Sequence, residues 1–95
     1  MRLGQVFKNS ERSQTFWVKN NHRNYIFVKL EIDNNMPDLQ RTYPKSHVIA
    51  PGEIQGFRIV LFSSIVRKSI YPVKYTINYK HSFKLRVFAE VIMIS

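Results

Sequence analysis

Ninety-five residues suit one domain, which at this size buries roughly 60 to 70% of the surface its unfolded chain exposes, and they leave no room for a second. Hydrophobic residues at 44% and aromatics at 14% exclude a disordered chain, and the absence of cysteine excludes disulfides and thiolate chemistry. Fifteen Lys and Arg against six Asp and Glu give a net charge of +9, so the expected partners are anionic: nucleic acid, an anionic membrane or an acidic protein tail. No apolar run approaches the roughly 20 residues of a membrane span, and the N-terminus lacks the apolar core of a signal peptide, which together read as a soluble intracellular protein. His22, His47 and His81 stand at no metal-ligand spacing and are expected in loops or on the surface, with no metal or cofactor implied.

Along the chain, alternation dominates and helical periodicity is poor. "SQTFWVKN", Ser13 to Asn20, puts Gln14, Phe16 and Val18 on one face and Thr15, Trp17 and Lys19 on the other, as a half-buried strand does. After the polar turn "NNHRN", the run "YIFVKLEID" sets Ile26, Val28, Leu30 and Ile32 against Tyr25, Phe27, Lys29, Glu31 and Asp33. The polar segment from Asn34 to Tyr43 carries Pro37 and is followed by Pro44 and a Pro51-Gly52 turn, so it reads as a loop with at most a short edge strand. Alternation returns from Gln55 to Ser63, with Phe57, Ile59 and Leu61 inward and Arg58, Val60 and Phe62 outward. Tyr71, Val73, Tyr75, Ile77 and Tyr79 then form an inward row, and Phe83, Leu85, Val87, Ala89 and Val91 another.

Residues paired across antiparallel strands share a face, which constrains the last turn. A two-residue loop, Lys80-His81, would pair inward Tyr79 with outward Ser82. A three-residue loop, Lys80-His81-Ser82, pairs Tyr79 with Phe83 and preserves parity, placing Lys84 opposite Asn78, Arg86 opposite Thr76 and Lys74 near Phe88. Six to eight short strands with turns between them and no helix predict an all-β, seven-stranded antiparallel sandwich of immunoglobulin type over residues 1–95. The closing "VIMIS" lacks a polar stop. Its Ile92, Met93 and Ile94 suggest a strand leading into a neighbouring module, one repeat of a longer tandem array.

"PKSHVIAPGEIQGFRIVLFSS", followed by "YPVKYTINYKHSFKLRVFAEV", resembles the PapD-like immunoglobulin modules shared by major sperm protein (MSP) domains and the ASH class, named for spindle, centrosome and hydin-type ciliary proteins. Pro44, Ile49, Pro51-Gly52, Phe57, Ile59, Leu61, Tyr75 and Ala89 occupy that pattern, and "LGQVFKNSERSQTFWVKNN" resembles its opening strand, spacer and next strand. The resemblance implies a scaffold module of the cilium, flagellar axoneme or centrosome that docks other modules, axonemal proteins or acidic tubulin tails. A major-sperm-protein subfamily at membrane contacts captures acidic peptides through a Lys-Thr-Thr run, where this chain offers only Arg41, Thr42 and Lys45 after acidic Glu31 and Asp33.

The outward row Lys74, Lys80, Lys84 and Arg86, with Arg67 and Lys68 in the preceding loop, is the candidate basic binding face. Solvated strand faces carry such residues for solubility and to block edge pairing, which is its plainer reading. Val60, Phe62 and Phe88 are apolar at outward positions and would form a docking patch if they cluster. Basic residues among Trp17, Tyr25, Phe27 and Phe88 could stack bases, so a nucleic-acid binder is the alternative function; Trp17 is otherwise expected in the sandwich or at a module junction. No nucleophile elbow, phosphate-binding glycine loop or carboxylate pair points to catalysis or a small-molecule substrate.

Overall fold

A computed structural model describes residues 1–93. Seven strands occur in chain order: β1 (Arg2–Phe7), β2 (Glu11–Lys19), β3 (Ile26–Glu31), β4 (Ser46–Ile49), β5 (Ile54–Phe62), β6 (Arg67–Ile77) and β7 (His81–Ile92), with one 3-10 turn at Pro37–Leu39 between β3 and β4. Five strands form one sheet in the order β1-β7-β6-β3-β4, and β2 and β5 form a second. All pairings are antiparallel except β1 with β7, which is parallel. The expected seven-stranded sandwich is therefore present. Its last strand ends at Ile92, and Ile94 of the suggested hand-over lies outside the described residues.

Period-two facing builds the core. Val28 and Leu30 from β3, Phe57, Ile59 and Leu61 from β5, Tyr71 and Val73 from β6, and Val87, Ala89 and Val91 from β7 are buried together between the sheets. Burying each of the larger side chains contributes about 1.5 to 3 kcal/mol relative to exposure. Leu39 of the 3-10 turn is also fully buried, so the long β3–β4 connection is anchored by an apolar plug. At the other end, Asn20 organises the Pro51-Gly52 turn. Its carbonyl accepts from the Gly52 N–H, and its amide donates to the Asn24 and Ile49 carbonyls. Gly52 has φ +80°, a conformation that side chains disfavour.

The β6–β7 hairpin has a three-residue loop, but two residues earlier than the alternation predicts. Ile77 pairs with His81 and Tyr75 with Phe83, leaving Asn78, Tyr79 and Lys80 in the turn. Asn78 and Tyr79 both carry positive φ, which Asn tolerates well. The Asn78 side chain accepts the Phe27 N–H and its backbone N–H donates to the Phe27 carbonyl, pinning the turn to β3. Tyr79 is consequently an exposed turn residue whose ring lies on Phe27, not an inward strand residue. The shift of two preserves parity, so Tyr71, Val73, Val87, Ala89 and Val91 are buried as expected, with Tyr75, Ile77 and Leu85 half-buried. Near the turn the expectation fails, since Phe83 is 44% exposed and Thr76, expected outward, is buried. The cross-strand partners change: Lys84 faces Lys74, Arg86 faces Pro72, and Phe88 faces Ile70.

Candidate functional site

The outer face of the five-stranded sheet gathers most of the expected basic row. Lys68, Lys74, Lys84 and Arg86 share it, and the β3 register adds Lys29 beside Thr76 and Glu31 beside Lys74. Lys74 Nζ lies 3.6 Å from a Glu31 carboxylate oxygen, and Lys68 Nζ lies 3.9 Å from Glu90. Lys29, Lys84 and Arg86 pair with no carboxylate among the described residues. Like charges directly opposite across strands are destabilising, and Glu31 offsets only one member of the Lys74–Lys84 pair. The result is a cationic band across the middle of the sheet, open to solvent.

Two of the six predicted basic residues lie elsewhere. Lys80 sits in the hairpin turn beyond the end of the row. Arg67 is the first residue of β6, opposite Val91, and its odd position turns it away from the outer face. Its guanidinium donates to Asp38 Oδ2 at 3.1 Å, and the Tyr71 hydroxyl donates to the same oxygen at 2.7 Å. Asp38 is a buried acid of the 3-10 turn, so this cluster clamps the β3–β4 connection onto β6. Burial first, then the hydrogen bond to Asp38, pushes the Tyr71 hydroxyl above its ordinary pKa of 10.0. The neighbouring Tyr71 hydroxyl, then the Asp38 carboxylate, raises the Arg67 pKa against the opposing effect of burial. The arrangement holds a charge in place. Sequence reading missed Asp38 because it lies in a polar segment without periodicity, and its partners are 29 and 33 residues away.

The three apolar docking candidates do not form one patch. Val60 is buried at 4% exposure, because Tyr43 bridges to Arg58 and the Thr42 hydroxyl accepts the Val60 N–H, laying the connection along β5. Phe62 is half-buried with the Arg41 guanidinium 4.1 Å from its ring centre, and Arg41 is itself paired with Glu11 at 2.6 Å. Phe88 belongs to the other sheet. There it joins exposed Ile70 on the floor of an open hollow, rimmed by Arg2, Lys68 and Glu90 beside the β1 bulge at Arg2–Gly4.

Trp17 is neither buried nor clamped by the sandwich: it is 66% exposed on the outer face of the two-stranded sheet. Its ring lies across Gly56, where a Cβ would stand 2.9 Å from the indole, so only glycine admits this placement without movement. Phe27 and Phe88 instead share the outer face of the larger sheet, separating Trp17 from the other stacking candidates. His22, His47 and His81 are all exposed, and among the described residues no three His, Asp or Glu side chains converge as metal ligands do.

No protein-family model and no curated protein matches the sequence. Among solved structures, the chain is similar to a chain of the CsuC–CsuE chaperone–tip adhesion subunit pre-assembly complex from the archaic chaperone-usher Csu pili of Acinetobacter baumannii, with 19% identity and a TM-score of 0.58. The match covers 93% of this chain and 48% of that one, so this chain spans about half of the solved neighbour. Together with the strand order, the likeness defines the fold as a PapD-like immunoglobulin sandwich.

Proposed function

We propose that this chain is a non-catalytic protein-interaction module of a ciliary, flagellar or centrosomal scaffold, one repeat of a tandem array, and that it docks acidic partners such as tubulin tails on the outer face of its five-stranded sheet. The observation that carries the reading is the cationic band of Lys29, Lys74, Lys84 and Arg86, served by Glu31 alone. A rigid sheet holds these charges in fixed rows, about 4.8 Å apart between strands and about 7 Å apart along them, which suits an extended acidic segment. The ciliary and centrosomal placement rests on the resemblance to ASH-type modules.

The test is retention of the protein on immobilised acidic tubulin-tail peptides over a salt series. Wild type is retained at low salt and released as salt rises, while K84E/R86E passes through at all concentrations. Retention of the double variant equal to wild type refutes the reading. A second reading, binding of single-stranded nucleic acid, is favoured by exposed Tyr79 and half-buried Phe27 beside Lys29 on the same face. A labelled oligonucleotide that shifts where the tail peptides do not would select it.

A further inference from the structure

The second sheet has only two strands, and among the described residues nothing pairs with β2 on the side away from β5. The other exposed edges are blunted as folded proteins usually blunt them. β4 is four residues long, and β1 carries a bulge between Arg2 and Gly4. On the far side of β5, Arg58 exchanges both backbone bonds with Tyr43, and Thr42 accepts the Val60 N–H. β2 by contrast is nine regular residues, "ERSQTFWVK", without glycine, proline or bulge.

The direction of its free backbone groups follows from its partner. Because Arg58 spends its N–H and carbonyl on Tyr43, its pairing with Thr15 is the non-hydrogen-bonded kind. The even-numbered residues of β2 therefore bond to β5, and Ser13, Thr15 and Trp17 aim their N–H and carbonyl groups at the open edge. The core is thin on the same side. Phe16 and Val18 are half-buried, Phe16 touches Tyr75, Tyr75 stacks on Phe83, and Phe83 remains 44% exposed.

We infer that the β2 edge is a self-association site, at which β2 of a second copy adds antiparallel about a two-fold axis through Thr15. The strand is self-complementary in that register. Glu11 at its start meets Lys19 of the second copy at its end, twice by symmetry, and Trp17 lies opposite Ser13. Thr15 meets Thr15 in a hydrogen-bonded pair, a favourable cross-strand combination. Arg41 occupies one Glu11 carboxylate oxygen, Oε1, and leaves the other for the second copy's lysine. No other register that bonds the odd-numbered residues to one another matches both charged ends. Phe16 of the second copy falls level with Gln14, and two sheets of two strands become one of four. The contact uses the opposite side of the molecule from the cationic band, so it is independent of the proposed function.

Sedimentation equilibrium on the intact chain tests the inference. Wild type is expected to dimerise reversibly. K19E and E11K, each exposed and each verified folded by circular dichroism, reverse both charge pairs and lower the association constant roughly tenfold. An equimolar mixture of the two variants matches all four end charges again and regains association. T15C supplies the chain's one cysteine at a pair with Cα atoms about 5.5 Å apart, within disulfide reach, and forms a covalent dimer under a glutathione redox buffer. A chain that stays monomeric at millimolar concentration with T15C uncrosslinked overturns the inference, as does a dimer whose stability ignores K19E and E11K.

Discussion

The two faces of the five-stranded sheet handle positive charge in opposite ways. On the side turned to the 3-10 connection, Arg67 meets a buried carboxylate and a tyrosine hydroxyl, and its charge is used to hold one part of the chain to another. On the outer side, Lys84 and Arg86 meet only Lys74 and Pro72 across the strand, and their charge has no internal use. The contrast separates two residues of similar chemistry, Arg67 and Arg86, into a clamp and an available contact. A partner that the fold supplies makes a charge structural; a missing partner leaves it for something outside.

The difference can be broken from the inside first. Val87→Asp places a carboxylate at a site with no exposed surface, beneath the outer row, and should cost more than about 4 kcal/mol, a large share of the roughly 5 to 14 kcal/mol a domain of this size possesses. Loss of the cooperative thermal transition checks it; a folded variant with an ordinary melting curve would contradict the inward placement of β7. Asp38→Ala strands Arg67 and the Tyr71 hydroxyl. Charge-assisted hydrogen bonds of this kind contribute about 1.5 to 3 kcal/mol, and because the Arg67 side chain is 44% exposed the lower end applies. Denaturant titration should show a lowered midpoint with an unchanged slope, and proteolysis should begin within the Asn34–Tyr43 connection.

A smaller effect is the alkaline limb of stability. The Tyr71 hydroxyl titrates higher in the folded chain than its ordinary 10.0, so folding favours its neutral form. Its stabilisation is full below pH 10 and is lost as pH rises through the folded value. Tyr75, raised by burial, contributes in the same direction. Thermal midpoints should therefore fall above pH 10, and Tyr71→Phe should flatten that fall while lowering stability at neutral pH. An unchanged alkaline slope in this variant would remove Tyr71 from the clamp. Smallest of all is the response of stability to K84E/R86E. Both side chains are exposed and unpaired, and melting curves should show a change within about 0.5 kcal/mol, whereas the same variant is expected to pass through the acidic-peptide column.

Much of the architecture was legible before any coordinates. Alternation from Gln55 to Ser63 and from Tyr71 to Val91 assigned the faces of three long strands, and the parity argument found the length of the last loop. It misplaced that loop because Tyr79 continues the apolar alternation, while the bonds between Asn78 and Phe27 that end the strand span 51 residues. The outward apolar residues show the same limit. Val60, Phe62 and Phe88 look alike along the chain, yet one lies under the Thr42–Tyr43 segment, one under Arg41, and one faces solvent on the opposite sheet.

Facing was decided locally, because the pleat turns successive side chains to opposite sides whatever the strand's neighbours are. Composition likewise determined that a core would form and that the surface would be basic. Only the tertiary structure decided which outward residues are covered, which cations have partners and which strand edge is left open. Those outcomes depend on segments tens of residues apart meeting in a particular register, and no short-range pattern encodes the position of a residue's eventual neighbour.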